Sequence, residues 1–479
     1  MSTGAAEPHG IHPKLILSVL AIAGVSYSML SSAVIPALTP LEHTLHVSEN
    51  DVAWLLTGYL LSASVGTAIL GRLGDMYGKE RLLLLTLVLL SVGTLISALS
   101  TSLEIMVVGR VIQGAGGGIF PLAFGIVRDE FPAEEVPGSI GILSSILGVG
   151  GGIGIVLGGL IIEHLNYHWL YWIPLVITVL AALATWRFVP ESPVRVPGRV
   201  NWLAAALMTV GFSCVLIAIS ETIAWGWGSP KTLGLLVAGL LSCGAWVTVE
   251  IHSDEPLIDM AMMRVRGVWT TNLVAFLLGA GMYASFLLYP QFAQLPKSTG
   301  FGFGASVVVA GLYLLPAAVL MSLMGTFAGR VAHRFGSKRA VIAGSAITAV
   351  AFGWLAAFHA HPFDMLISAA LLGIGIGLAF AALGNLIVQA VPPEQTGVAT
   401  GMNTVMRTLG GALGGQIAAT LVADNVSHGL PTVTGFTASF TLEAAFLVAA
   451  VFAGMLVPER SPQRARLEPH GDLQPSEAG

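Results

Sequence analysis

The chain has 479 residues, 55% of them hydrophobic and only 10% charged, with a mean hydropathy of +0.82. A soluble globular chain carries about 25% charged residues, so this composition excludes one and demands a lipid bilayer around much of the surface. The formal net charge of −5 excludes little, because in a membrane protein the placement of charge outweighs its sum.

Residues 1–13 form a short polar tail without the basic n-region and small-residue cleavage site of a signal peptide. A membrane-crossing helix needs about 20 apolar residues, and six such runs follow at 15–38, 54–70, 82–98, 105–126, 139–162 and 169–188. They predict a first six-helix bundle over 14–190. The linker VPESPVRVPGR then carries Pro190, Pro193 and Pro197, which exclude continuous helix. Within 191–265 two further runs, 202–220 and 233–249, flank a turn with Trp225, Gly226, Trp227 and Pro230. A second six-helix bundle is expected over 266–458, from runs at 269–290, 305–328, 340–358, 365–387, 397–422 and 440–457. The prediction is an all-α polytopic membrane protein with fourteen transmembrane helices. Residues 459–479 are polar, proline-bearing and aperiodic, and are expected to be a disordered tail.

Basic residues test this topology independently, because cytoplasmic loops collect arginine and lysine. With both termini placed in the cytoplasm, only Lys231 and Lys297 fall outside the cell, and apart from Arg187 at the cytoplasmic end of 169–188 only Arg110 and Arg407 fall within spans. Cys214 and Cys243 sit inside apolar runs and read as packing residues. No metal-ligand cluster, nucleophile arrangement or phosphate loop is legible, which argues against an enzyme.

The chain also repeats itself. GRLGDMYGKER at 71–81 recurs as GRVAHRFGSKR at 329–339, an offset of 258 (329 minus 71). GAGGGIF from Gly114 resembles GIGIGLA from Gly373, and FPAEEVPGSIG from Phe131 resembles VPPEQTGVATG from Val391. Two related halves therefore flank the central pair of runs.

Gly71, Leu73, Asp75, Gly78, Lys79 and Arg81 match the signature loop between helices 2 and 3 of the major facilitator superfamily. In the fourth run Arg110, Gln113 and Gly114 are similar to a pattern that the superfamily places on a cavity-facing helix. The fifth run, GILSSILGVGGGIGIVLGGL, resembles the glycine-rich helix of drug:proton antiporters, with Ile155 where a proline normally stands. Gly150, Gly154, Gly158 and Gly159 there provide small-residue helix packing. Fourteen spans, with the segments GRVNWLAAALMTVGF and PLIDMAMMR, extend the resemblance to the fourteen-span drug:proton antiporter family over about 15–457.

This resemblance implies two bundles that rock about a midplane site, with Asp75 as a gate and Gly71, Gly78, Arg72 and Arg81 as parts of the same switch. It implies export of a small organic molecule, a drug or secondary metabolite, against protons. The expected setting is the inner or plasma membrane, as a monomer, with no cofactor, metal or nucleic acid. Proton-coupled or facilitated uptake is the alternative within this fold, and a non-transporting sensor a remote one.

One feature departs from the family. Its first span commonly carries an aspartate for cationic drugs, whereas this chain reads AGVSYSMLSSAVIPAL, without a carboxylate. Candidate lining residues are Tyr27, Ser31, Gln113, Asn272, Tyr283, Asn385 and Asn403. Arg110 reads either as a cavity cation or as a cap on helix carbonyls, and Arg407 either as a cavity cation or as a side chain snorkelling to the interface. Two cations in the cavity wall would favour neutral or anionic substrates. Glu221 and Glu443 are the candidate proton carboxylates.

Overall fold

A computed structural model describes residues 12–192, 194–195, 198–427 and 429–459. The expectations for residues 1–11 and 460–479, and for Pro193 and Pro197, lie outside the described residues.

Fourteen long helices are present among the described residues. In chain order they are α1 (Pro13–Ala33), α2 (Glu49–Tyr77), α3 (Lys79–Leu99), α4 (Leu103–Glu130), α5 (Val136–His164), α6 (Trp169–Phe188) and α7 (Trp202–Ser220). There follow α8 (Pro230–Ile251), α9 (Arg266–Gln294), α10 (Leu315–Phe335), α11 (Ser337–Ala357), α12 (Pro362–Ala390), α13 (Thr396–Asp424) and α14 (Val433–Leu456). Thirteen segments are apolar and long enough to cross a membrane. The remaining helix, α13, is as long as any but carries Thr400, Asn403, Thr404, Arg407 and Thr408, and it packs between α2, α9 and α14. Its polar face meets protein, so it does not need the hydropathy of a lipid-facing span.

Three runs expected to be continuous are broken. The first ends at Ala33, where Pro36 tightens the chain into a 3-10 turn, Ile35–Ala37. The fourth contains a 3-10 segment, Gly114–Gly118, because Gly114, Gly117 and Gly118 press against α2. A side chain on Gly114 would put its Cβ 2.5 Å from that of Ser62. The run 305–328 divides into Val307–Tyr313 and α10, where Pro316, lacking an N–H, opens the new helix.

Two hydrophobic cores result, one drawn mainly from α1–α7 and the other from α9–α14. The central pair is peripheral: α7 packs on α2 and on α13, touching both bundles, whereas α8 packs chiefly on α7. Gly211 and Gly239 allow that crossing beside Cys243, and Cys214 and Cys243 are free thiols.

The bundles meet along two small-residue seams. On α5, Gly148 and Gly152 face Met321 and Ala318 of α10 across the boundary, while Gly150, Gly154 and Gly158 face α1 within the first bundle; Gly159 is buried in the same helix. Each copy of the repeated loop opens with a glycine at a bundle crossing. Gly71 of α2 faces Gly397 of α13, a Cβ on either lying 2.5 Å from the other's carbonyl oxygen. Gly329 of α10 faces Gly138 of α5, at 2.8 Å from its Cα. A Cβ at Gly71, Gly397 or Gly329 would not fit without moving a helix, whereas one at Gly138 would meet nothing within 4 Å among the described residues.

Candidate functional site

The face carrying the α2–α3 loop, here termed the basic face, holds the two bundles together with charged groups. Gly78 makes the sharp α2–α3 turn at φ +116°. This turn buries Asp75 at the end of α2 and Lys79 at the start of α3. The Asp75 carboxylate accepts hydrogen bonds from the Gly397 and Val398 N–H groups at 3.2 and 3.1 Å, in the first turn of α13. A carboxylate at a helix N-terminus satisfies orphan amides and the favourable end of the helix dipole together. Lys79 Nζ lies 2.7 Å from Asp129 at the end of α4 and 3.6 Å from Asp75. Ser192 in the linker donates to the same Asp129 carboxylate.

A reciprocal bond runs from Arg128. Its guanidinium donates to Thr396 Oγ1 at 2.6 Å and to the Val391 and Pro392 carbonyls at 2.8 and 3.3 Å, joining α4 to the α12–α13 turn. Asn385 on α12 donates to Pro137 O of α5 at 3.2 Å, a further tie between the bundles. Arg81 is exposed and pairs with Glu191 at 3.3 Å, and Arg72 lies against Gly198. Asp75, Gly71, Gly78, Arg72 and Arg81 thus gather on one face, and Asn385 joins them rather than the interior. Lys79, Arg128, Asp129 and Thr396 complete this latch. The sequence marked Arg128 only as a positive-inside residue, although its place just before the repeated FPAEEVPGSIG segment could have flagged it.

A second cluster lies inside. Arg110 of α4 is wholly buried, with its Nε donating to Leu55 O at 2.8 Å and its NH1 to Leu30 O at 3.0 Å and Gln113 Oε1 at 2.9 Å. Its guanidinium lies 4.2 Å from the centre of the Tyr59 ring, and Gln113 passes the chain of bonds on to Ser97 at 3.2 Å. Arg110 therefore staples α1, α2 and α4 within the first bundle. Arg407 of α13 differs. It is 8% exposed, sits 4.8 Å over the Phe380 ring of α12, and has a buried Nε without a hydrogen-bond partner. Tyr27 of α1 and Tyr283 of α9 are close enough to interact electrostatically with it, and Tyr27 packs 5.9 Å from Tyr59. Tyr27, Tyr283 and Arg407 thus lie within electrostatic reach of one another across the bundle boundary. The snorkelling alternative for Arg407 does not describe this buried position.

Asn403 donates to Asn272 Oδ1 at 2.9 Å, tying α13 to α9, with Asn272 Nδ2 left unpartnered. Ser31 bonds back to Ser28 O in its own helix at 2.7 Å. Phe380 and Tyr59 were missed in sequence because a single aromatic in an apolar span carries no positional signal.

The two candidate carboxylates are separate. Glu221 terminates α7 outside the spans, where partial burial raises its carboxyl above the ordinary value. Glu443 of α14 is fully buried and neither oxygen has a partner. It sits one turn from Phe440, which packs on Tyr289, and one turn from Leu447, which packs on Gly281. Among the described residues no group of three or more histidines, cysteines or carboxylates could hold a metal ion.

Known proteins resemble the chain over most of its length. The family model described as Major Facilitator Superfamily matches residues 20–201 and 271–477. The tetracenomycin C resistance and export protein of Streptomyces glaucescens is 29% identical over 388 residues, covering 80% of this chain and 71% of that protein. A lincomycin resistance protein of Listeria monocytogenes is 26% identical, covering 80% and 81%. Multidrug resistance protein 3 of Bacillus subtilis is 27% identical, covering 74% and 68%. Of solved structures, a human organic anion transporter superposes with a TM-score of 0.66 at 17% identity, covering 92% of this chain and 99% of that one. A proton:xylose symporter superposes with 0.66 at 16% identity, covering 93% and 96%. Those two likenesses concern the fold alone.

Proposed function

This chain belongs to the Major Facilitator Superfamily, whose members are membrane transporters rather than enzymes, and on that premise we propose that it exports a small organic compound, a drug or secondary metabolite, in exchange for protons. The names of the aligned resistance and export proteins support efflux. The observation that carries the mechanism is the latch: Asp75 and Arg128 of the first bundle bind the α12–α13 turn of the second. Alternating access needs a bistable element that closes one face and releases it, and charge-assisted bonds to a helix terminus supply one. Substrate binds in this reading beside Tyr27, Tyr283 and Arg407, where the bundles meet.

Glu443 is the proposed proton site. An unpartnered carboxylate in an apolar interior is costly, and a proton removes that cost. Its gain and loss would couple the second bundle to the pH gradient, whereas Glu221, partly exposed at a helix end, offers no such coupling.

Flux in proteoliposomes under an imposed pH gradient tests the reading. Substrate and protons are expected to move in opposite directions, and movement in the same direction would mean symport. One pH unit supports up to about tenfold accumulation per proton. Glu443→Gln is expected to lose that accumulation yet keep exchange of labelled for unlabelled substrate. Full accumulation in the variant would remove Glu443 from coupling.

In the proposed orientation, in the cell membrane, the basic face and both termini are cytoplasmic and the transporter works as a monomer. Single cysteines in the 71–81 loop and the 189–199 linker should be shielded from an impermeant reagent, and one beside Lys231 or Lys297 labelled. Labelling of the loop in intact cells would invert the topology.

A further inference from the structure

The two copies of the repeated loop have the same architecture but opposite charge balance. In the first half, the Glu191 carboxylate closes the N-terminus of α3. It accepts from Glu80 N at 3.3 Å, pairs with Arg81, and lies 2.5 Å from where a Cβ on Gly78 would be. Asp75 and Asp129 neutralise Lys79 beside it. In the second half, Gly336 repeats the turn at φ +82° before α11, and the segment VPE recurs, so that Glu459 corresponds to Glu191.

The partners, however, have changed. Glu80, Asp75 and Asp129 correspond to Lys338, His333 and Gln389. Among the described residues beyond its chain neighbours, no atom lies within 4 Å of the Cβ position on Gly336, and the N-terminus of α11 has no side-chain cap. A cavity of about 580 Å³ opens there instead, lined by Arg266, Arg334, Lys338, Arg339 and Glu459 among others. Glu459 forms no ion pair among the described residues. Four cations against one carboxylate, at the N-terminus of a 21-residue helix, form a site for an oxyanion larger than a carboxylate.

We propose that this cavity between α9, α11, α12 and α14 binds a phosphate group, taking in the second half the place that the Glu191 carboxylate fills in the first. Its position on the basic face allows two sources, the headgroup of an anionic phospholipid or a soluble phosphate ester. Occupancy would tie the α10–α11 turn to the end of α14 as Glu191 ties the α2–α3 turn to the linker. The proposal does not depend on the direction of transport, and its test reads binding rather than flux.

Native mass spectrometry of the purified full chain would compare retention of phosphatidylglycerol with that of phosphatidylethanolamine, and thermal shift would measure stabilisation by inorganic phosphate. Preferential retention of phosphatidylglycerol, weakened about tenfold or more in K338Q/R339Q and unchanged in K297Q on the opposite face, supports the site with a lipid source. Stabilisation by phosphate, lost in K338Q/R339Q without any lipid preference, supports it with a soluble source. Should the double variant fail to fold, Glu459→Gln provides an independent arm, since removing the one carboxylate should tighten binding severalfold. Equal retention of both lipids with no stabilisation by phosphate, or binding indifferent to these substitutions, would overturn the proposal.

Discussion

Asp75→Asn is expected to leave the protein folded and inserted while slowing transport about ten- to a hundredfold. The native carboxylate accepts two backbone hydrogen bonds from the start of α13 and lies 3.6 Å from Lys79. Asparagine keeps the shape but loses the charge, and its amide nitrogen offers a donor where the helix already presents donors. A hydrogen bond to a charged group contributes about 1.5–3 kcal/mol, so weakening this one shifts the balance of conformations by roughly one to two powers of ten. Folding should survive because Lys79 retains Asp129 at 2.7 Å, and the Gly71–Gly397 crossing is untouched. Wild-type flux in the variant at matched protein level would refute the gate role.

The second large effect concerns substrate charge. Arg407→Ala should lose anionic amphiphiles by about ten- to a hundredfold while affecting neutral ones less. Hydrogen bonds to a charged group are worth about 1.5–3 kcal/mol, and the low dielectric of the interior screens a fixed charge poorly. The two intramembrane arginines do not act alike. The Arg110 guanidinium is held through Nε and Nη1 by the Leu30 and Leu55 carbonyls and by Gln113 inside the first bundle, with its buried Nη2 unpartnered. Arg407 lies over the Phe380 ring with its buried Nε unpartnered, and its guanidinium makes no hydrogen bond or ion pair among the described residues. The charge available to a substrate is therefore chiefly that of Arg407. Lipophilic monovalent cations should be poor substrates of the wild type. A panel of +1, 0 and −1 compounds against both proteins checks this, and strong cation transport unchanged by Arg407→Ala would place Arg407 outside the substrate path.

Much of this architecture was legible before any coordinates. Run length determined the spans, since crossing a bilayer requires about 20 apolar residues whatever surrounds them. The repeat of 71–81 at 329–339 determined that there are two halves, and the arginines and lysines predicted one basic face. Even α13, which lacks the hydropathy of its neighbours, is legible as a span from its run at 397–422. The glycines of α5 announced close packing, although not that Gly150 faces α1 while Gly152 faces α10.

What only the tertiary structure decided was the rotation of each helix and hence the partner of each polar group. Spans that are apolar nearly all round carry little helical periodicity, so their facing is set by contacts distant in sequence. Asn385 meets Pro137 across the bundle boundary, Asn403 meets Asn272 within one bundle, and Arg128 finds Thr396 268 residues away. The same reason left the roles of Arg110 and Arg407 open in sequence, because a buried charge is defined by its neighbours. It also concealed the cavity at Gly336: the loop sequence repeats, but whether a carboxylate folds back over it depends on where the end of the last helix comes to rest.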